Sequence, residues 1–182
     1  MDNQKEEILQ KIEEAEYVLV GLGQEFDMEF FLQSREDYRR IREQLQQQNV
    51  LWLLPYVEAQ FRKQYMPEME AEIEKGLQKL AKVLEKKSYF VVSSSMNHKL
   101  AEVPWKKMLL KKERFVAPCG DWTKKQCPDG CEEGIQTVTE ADEEQLQESF
   151  KKLQTNGFSV PDLGKCPKCG KKLVLNNVYA GR

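Results

Sequence analysis

Tyr17-Val-Leu-Val-Gly-Leu-Gly-Gln-Glu-Phe26 is the stretch whose reading decides the fold. A short run of branched apolar residues stops at Gly21, one residue passes, and Gly23 follows. Val18 to Val20 suit a strand buried on both faces, because a parallel sheet covered by helices on both sides shows no polar alternation. Glycines at 21 and 23 admit backbone angles that a side chain forbids, and they let a ligand approach the main chain. A helix opening near Gln24 would aim its free N–H groups and its dipole at the space over the turn, where an anion is favoured. One reading is the phosphate-binding turn of a nucleotide fold. The other is a core strand ending in a tight turn. Phe26 stands where the dinucleotide fingerprint has its third glycine, so that fingerprint is not complete.

Outward from this stretch, residues 3–15 read as a helix with Ile8, Leu9 and Ile12 as a narrow apolar stripe. Ser34-Arg-Glu-Asp37 has the form of a helix start, and Tyr38, Ile41 and Leu45 mark one face of that helix. Leu51 to Tyr56 is dense apolar sequence interrupted by Pro55. Pro67 falls in the first turn of a long helix. Met69, Ile73, Leu77, Leu80 and Leu84 run down that helix as a core-packing stripe. Residues 88–93 and 114–118 read as second and third buried strands, with a short amphipathic helix between them marked by Trp105, Met108 and Leu109. Strand, helices, strand, helix, strand implies parallel pairing through crossovers. The first crossover is longer than a single helix needs, so a helical insertion at about 27–87 is expected beside the glycine turn.

Cys127-Pro-Asp-Gly-Cys131 and Cys166-Pro-Lys-Cys169-Gly170 carry the strongest chemical signal. Two cysteines so spaced fold a short loop with both sulfurs inward, and Gly130 and Gly170 permit turns that aim backbone N–H groups at sulfur. Two such loops complete a tetrahedron of thiolates, which suits zinc in a structural role. With cysteine at all four corners, no position stays open for a catalytic water. Disulfides and free thiols are the rival readings. Between the pairs, residues 134–138 read as a strand, and a helix starts near Thr139 with Leu146, Phe150 and Leu153 buried. Cys119 follows the third strand. It reads either as an unreactive buried thiol or as a nucleophile paired with His98, the one histidine, at the carboxyl edge of a parallel sheet where ligands bind.

The totals narrow the classes. A chain of 182 residues makes one domain, or one domain plus a small module. With 40% hydrophobic and 32% charged residues the composition is that of a globular protein. No apolar run approaches the ~20 residues of a membrane span. A net charge of −2 does not favour nucleic acid. The cluster Lys106, Lys107, Lys111, Lys112 and Arg114 is interrupted by Glu113 and reads as a solvated face. Met1 to Glu7 has neither the basic start nor the apolar core of a secretion signal. Five cysteines without such a signal point to a reducing, cytoplasmic setting.

Taken in order, these pieces resemble the sirtuins, the family of NAD-dependent protein deacylases. Gly21-Leu-Gly-Gln-Glu25 matches the family's Gly-Ala-Gly-x-Ser turn, and Val92-Ser-Ser-Ser-Met-Asn97 lies where the family has Thr-Gln-Asn-Ile-Asp. Cys119-Gly120 occupies the place of its His-Gly pair. The four-cysteine module ends in Cys166-Pro-Lys-Cys-Gly170, and Asn176-Asn-Val-Tyr179 follows in place of Pro-Asn-Val-Val. The resemblance implies an α/β fold: a partial Rossmann-like parallel sheet of three strands with helices, a helical insertion and a small zinc-ribbon-like module. Residues 1–120 would form the NAD-binding half and residues 121–182 the zinc-binding module. Gly21, Leu22, Gly23, Gln24, Glu25, Ser93, Ser95 and Asn97 would then bind NAD or an ADP-ribose-like nucleotide, and Cys119 and His98 would be the candidate catalytic groups. Cys127, Cys131, Cys166 and Cys169 would hold zinc.

The departures bear on chemistry. Cys119 replaces the general-base histidine, and loss of such a base typically removes about 10²–10⁴-fold in rate. Asn97 has no anionic acceptor. The expected function is a sirtuin-like NAD-binding protein, as a protein deacylase or ADP-ribosyl transferase with a degenerate site acting on an acylated protein. The alternative is a non-catalytic, zinc-stabilised binding or assembly module. Three parallel strands leave a sheet edge unpaired, and either further chain or a homo-oligomeric partner is expected to cover it.

Overall fold

The computed structural model describes residues 2–23, 29–96 and 114–180. Gln24, Glu25, Asn97, His98, the expected helix at 105–109 and the lysines at 106–112 lie outside the described residues. α1 (Asp2–Glu14) leads into β1 (Tyr17–Leu22). β1, β2 (Ser88–Ser93) and β3 (Phe115–Val116) form a parallel sheet in the order β1-β2-β3. Its register runs from Tyr17 opposite Ser88 to Leu22 opposite Ser93, and sets Val92 opposite Val116. This is the expected α/β arrangement with a Rossmann-like sheet. The end of α1 is held by Lys87, whose ammonium donates to the carbonyls of Glu13 and Ala15 at 2.5 and 3.1 Å.

Burial on both faces of β1 is not what the structure shows. Val18, Val20 and Leu22 pack with Tyr89 and Val91 of β2 and with Leu77, Ala81 and Leu84 of α5 (Pro67–Leu84). Tyr17 and Leu19, on the opposite face, are 73% and 75% exposed. Side chains alternate across a strand, so an unbroken apolar run supplies two faces, and here one is left open. The stripe on α1 is open as well, with Ile8 and Leu9 exposed. Gly21 lies inside β1 rather than at a turn. A Cβ built there meets nothing within 4 Å.

The long first crossover is helical, as its length demands. It contains α2 (Glu29–Gln33), α3 (Glu36–Gln47), a 3₁₀ turn at Leu51–Leu53, α4 (Leu54–Tyr65) and α5. Ser34 does not cap α3. Its hydroxyl donates to the Phe31 carbonyl at 2.8 Å, while Arg35 forks onto Asp37 at 2.8 and 3.0 Å and lies 3.5 Å above the Tyr65 ring. Pro55, like Pro67, sits in a first helical turn, so it opens α4 instead of interrupting the apolar stretch.

A second, antiparallel sheet has the order β5-β4-β6, from β4 (Gly120–Gln126), β5 (Gln136–Thr137) and β6 (Val174–Asn177). α6 (Glu140–Gln154) follows β5 and starts where expected. Thr139 caps it, and Asp142 closes a reciprocal capping box. Tyr38, Ile41, Leu45, Leu54 and Phe61 of α3 and α4 share one apolar cluster with Trp122, Leu146, Leu153 and Leu175. Phe61 meets Phe150 edge-on at 5.7 Å, and Tyr56 meets Trp122 edge-on at 5.5 Å. Each such buried side chain contributes about 1.5–3 kcal/mol. The helices that leave β1 thus share their core with the cysteine-bearing sheet, while α5 shares its core with the parallel sheet. A buried ion pair, Arg62 Nε to Glu70 Oε1 at 3.4 Å, joins α4 to α5. No helix among the described residues is long and apolar enough to cross a membrane.

Ala117 to Cys119 link the two sheets, and Gly120 opens β4 with φ +120. A Cβ at Gly120 would lie 2.4 Å from the Asn176 carbonyl oxygen and from Asn177 Cα, both backbone atoms that cannot swing away. Gly120→Ala is therefore expected to cost about 2–4 kcal/mol. Gly21→Ala, which fills open space on extended backbone, should leave stability unchanged or raise it by up to about 1 kcal/mol. Urea titration of the two variants beside the parent checks this pair.

Candidate metal centre and the crest of the parallel sheet

The first cysteine knuckle follows β4, and the second is enclosed by the antiparallel Lys165–Lys172 bridge just before β6. In both, a tight turn returns a glycine amide to a cysteine carbonyl: Gly130 to Cys127 at 3.0 Å and Gly170 to Cys166 at 2.9 Å. Both glycines have φ +73, the left-handed region that the turn requires. These turns free other amides for sulfur. The N–H groups of Asp129 and Cys131 reach the Cys127 thiol, and that of Lys171 reaches the Cys169 thiol. Across the knuckles the side chains of Lys171 and Asp129 pair, Lys171 Nζ donating to Asp129 at 2.8 Å.

The sulfurs of Cys127, Cys131, Cys166 and Cys169 all lie within 4.8 Å of one another. Cys127 and Cys169 approach to 3.4 Å. Zinc–sulfur bonds of about 2.3 Å in a tetrahedron set sulfurs about 3.8 Å apart, so the spacing fits one ion. The acidities are spread. Burial works against a charge on Cys127, but the amides of Asp129 and Cys131 and the thiols beside it lower its pKa to about 7. Burial and the neighbouring thiols push Cys131 up to about 12. The Lys171 amide favours a thiolate at Cys169, yet Cys127 and burial outweigh it and its pKa is raised. Four thiols this close cannot all ionise against one another, and a bound dication removes that penalty. The cluster is thus able to coordinate a metal ion.

Its supports were not evident in the spacing of cysteines. Gly134 packs on Cys127 so closely that a Cβ would lie 2.5 Å from the cysteine Cβ. Lys125, two residues before the first cysteine, is buried and holds both oxygens of buried Asp142 at 2.8 and 2.9 Å. The signal for Asp142 was present as the fourth residue of a Thr-x-x-Asp start. Nothing local marks Lys125 as its partner.

At the carboxyl edge of the parallel sheet, Leu22 and Ser93 are paired neighbours. The Leu22 carbonyl accepts the Ser94 amide at 2.8 Å and the Ser94 hydroxyl at 3.2 Å. Ser93 and Ser95 are buried, and the Ser93 hydroxyl donates to the Ser95 carbonyl at 3.4 Å. Cys119 lies three residues beyond β3, half-buried, with its carbonyl accepting the Val178 amide at 3.0 Å. The glycine stretch, the serines and Cys119 therefore share one edge of the fold, while Gln24, Glu25, Asn97 and His98 fall outside the described residues. No family model matches the chain, and comparison with curated proteins finds no relative.

Burial penalises the Asp142 carboxylate, but hydrogen bonds from Lys125 and Thr139 outweigh this and hold its pKa below the ordinary value. A carboxylate with a lowered folded pKa contributes stability that is full above its unfolded pKa, about 3.9, and is lost as pH falls through the folded value. Asp142→Asn leaves the Lys125 ammonium buried without a counter-charge and is expected to cost about 3–5 kcal/mol at neutral pH. That gap should shrink as pH falls below about 4, where the unfolded parent's carboxyl takes up a proton, until the folded carboxyl protonates as well. Chemical denaturation of parent and variant at pH 7, 5 and 3 measures it; a gap that stays constant would contradict the assignment.

Proposed function

We propose that this protein is a zinc-stabilised binding or assembly module in which the metal holds a surface in shape. The observation that carries this is the meeting of four sulfurs at the margin of the core that α3 and α4 share, with Cys127 and Cys166 buried in that apolar cluster. Structural zinc contributes on the order of 10 kcal/mol in comparable small sites, enough to decide whether such a module folds. Residues 121–182 would form the metal module, and residues 1–120 the Rossmann-like half with its insertion at about 27–87.

A second reading, nucleotide binding of the sirtuin type, is favoured by one observation. Gly21 presents open space on the sheet next to the paired Leu22 and Ser93. NAD or ADP-ribose would lie over Gly21, Leu22 and Gly23, with Gln24, Glu25, Ser93, Ser95 and Asn97 around it. An acylated protein would be the co-substrate in a cytoplasmic setting. With cysteine at position 119 in place of a histidine base, turnover would be slow, and His98 would be the group to supply a proton acceptor. Among the described residues β1 is an edge strand, and that edge with the exposed Tyr17 and Leu19 would be covered by a second copy of the chain.

The expected zinc content is one ion per chain, and a strong chelator should collapse the near-ultraviolet signal of Trp122. Metal analysis and chelation together check this reading, and a chain that folds equally well without zinc contradicts it. Calorimetry with NAD and with ADP-ribose tests the second reading. Gly21→Ala should weaken either ligand at least about tenfold, or about 1.4 kcal/mol, without loss of stability. No heat from either nucleotide would contradict the second reading. Light scattering of the parent and of Leu19→Lys reports on self-association.

A further inference from the structure

We propose that Cys169 is an oxidation site, and that a hydroperoxide converts Cys169 and Cys127 into a disulfide that expels the metal. This rests on the zinc reading above. The four sulfurs differ in exposure. Cys127 and Cys166 are each 2% exposed and Cys131 is half-buried, whereas Cys169 is exposed. Its neighbours Pro167, Lys168 and Gly170 are exposed too, so an oxidant meets this sulfur first. The partner sulfur is already placed. Cys127 Sγ lies 3.4 Å from Cys169 Sγ, from the opposite knuckle. Closing that gap to a bond of about 2.05 Å asks for a shift of about 1.4 Å, within the reach of side-chain rotation in an exposed loop.

The chemistry balances with the peroxide as the oxidant. The Cys169 thiolate attacks one peroxide oxygen and the O–O bond breaks. The departing oxygen takes a proton and leaves as water or an alcohol, and Cys169 is left as a sulfenic acid. The Cys127 thiolate then attacks that sulfur and expels hydroxide, which is protonated to water. Two thiolates have lost two electrons in all, and the peroxide has gained them. Cys131 and Cys166 remain as a two-sulfur set, too few to retain zinc. Because Cys127 and Cys166 lie in the core shared with α3 and α4, the helical insertion loosens when the ion leaves. Cys119 does not serve as the resolving thiol. It precedes β4 while Cys127 follows it, and that strand separates them by on the order of 20 Å.

The test uses the full zinc-loaded chain and its Cys119→Ser variant. Each is treated with limiting hydrogen peroxide, zinc release is followed with a chromogenic chelator, and thiols and disulfides are mapped by differential alkylation and peptide mass spectrometry. The expected result is one zinc released per Cys127–Cys169 disulfide, at the same rate in both proteins and reversed by dithiothreitol with added zinc. A dominant disulfide within a knuckle, Cys127–Cys131 or Cys166–Cys169, overturns the proposal. So does oxidation confined to Cys119 with zinc retained, or Cys169 sulfinic acid without a disulfide. A chain that neither carries nor takes up zinc overturns the metal reading as well, whereas zinc held firmly against peroxide overturns only this inference.

Discussion

Four sulfurs held within 4.8 Å of one another set the terms for the rest of this molecule. The two knuckles that supply them are far apart in the chain, so everything between them must return to its starting point. β5, α6 and the loop after it are shaped by that closure. Gly134 gives up a side chain so that the backbone passes against Cys127. Lys125 and Asp142 form a buried pair that fixes the first turn of α6 to β4. The Asp129–Lys171 pair lies at the surface and has far less leverage, because exposed ion pairs contribute about 0–1 kcal/mol.

The cysteine centre extends its hold beyond its own sheet. Trp122, Leu146, Leu153 and Leu175 interleave with α3 and α4, so the helices of the first crossover depend for burial on a module that comes later in the chain. The parallel sheet stands on a separate and smaller cluster with α5. The chain passes between the two cores after β1, at the α4–α5 junction and at the short link from β3 to Gly120. The last two crossings are tightly made, one by the buried Arg62–Glu70 pair and the other by a glycine against β6. Leu22 and Ser93, at the carboxyl ends of β1 and β2, and Cys119, just after β3, lie on the parallel-sheet side of the link to Gly120.

Much of this was legible in advance because it rests on local rules. The cysteine spacing with its glycines, the helix start at Thr139, Pro67 in a first turn and the 3.6-residue stripes of α3 and α5 each arise from chemistry within a few residues. Two local signals point the wrong way. Ser34 has the composition of a cap, yet its hydroxyl turns back to Phe31, and Arg35 beside it is engaged by Asp37 and Tyr65. Gly21 has the composition of a turn, yet it lies in the strand.

By itself the sequence determined that a parallel α/β sheet would form, that helices would fill the first crossover and that four cysteines would gather. Apolar periodicity, turn chemistry and ligand spacing are properties of short segments, and they survive whatever surrounds them. Tertiary structure alone decided which face of β1 is covered, which helices share a core with the cysteines, and that Lys125 finds Asp142. Burial and pairing are relations between segments distant in the chain. An apolar run such as Val18 to Val20 carries no record of which neighbour will arrive on which side.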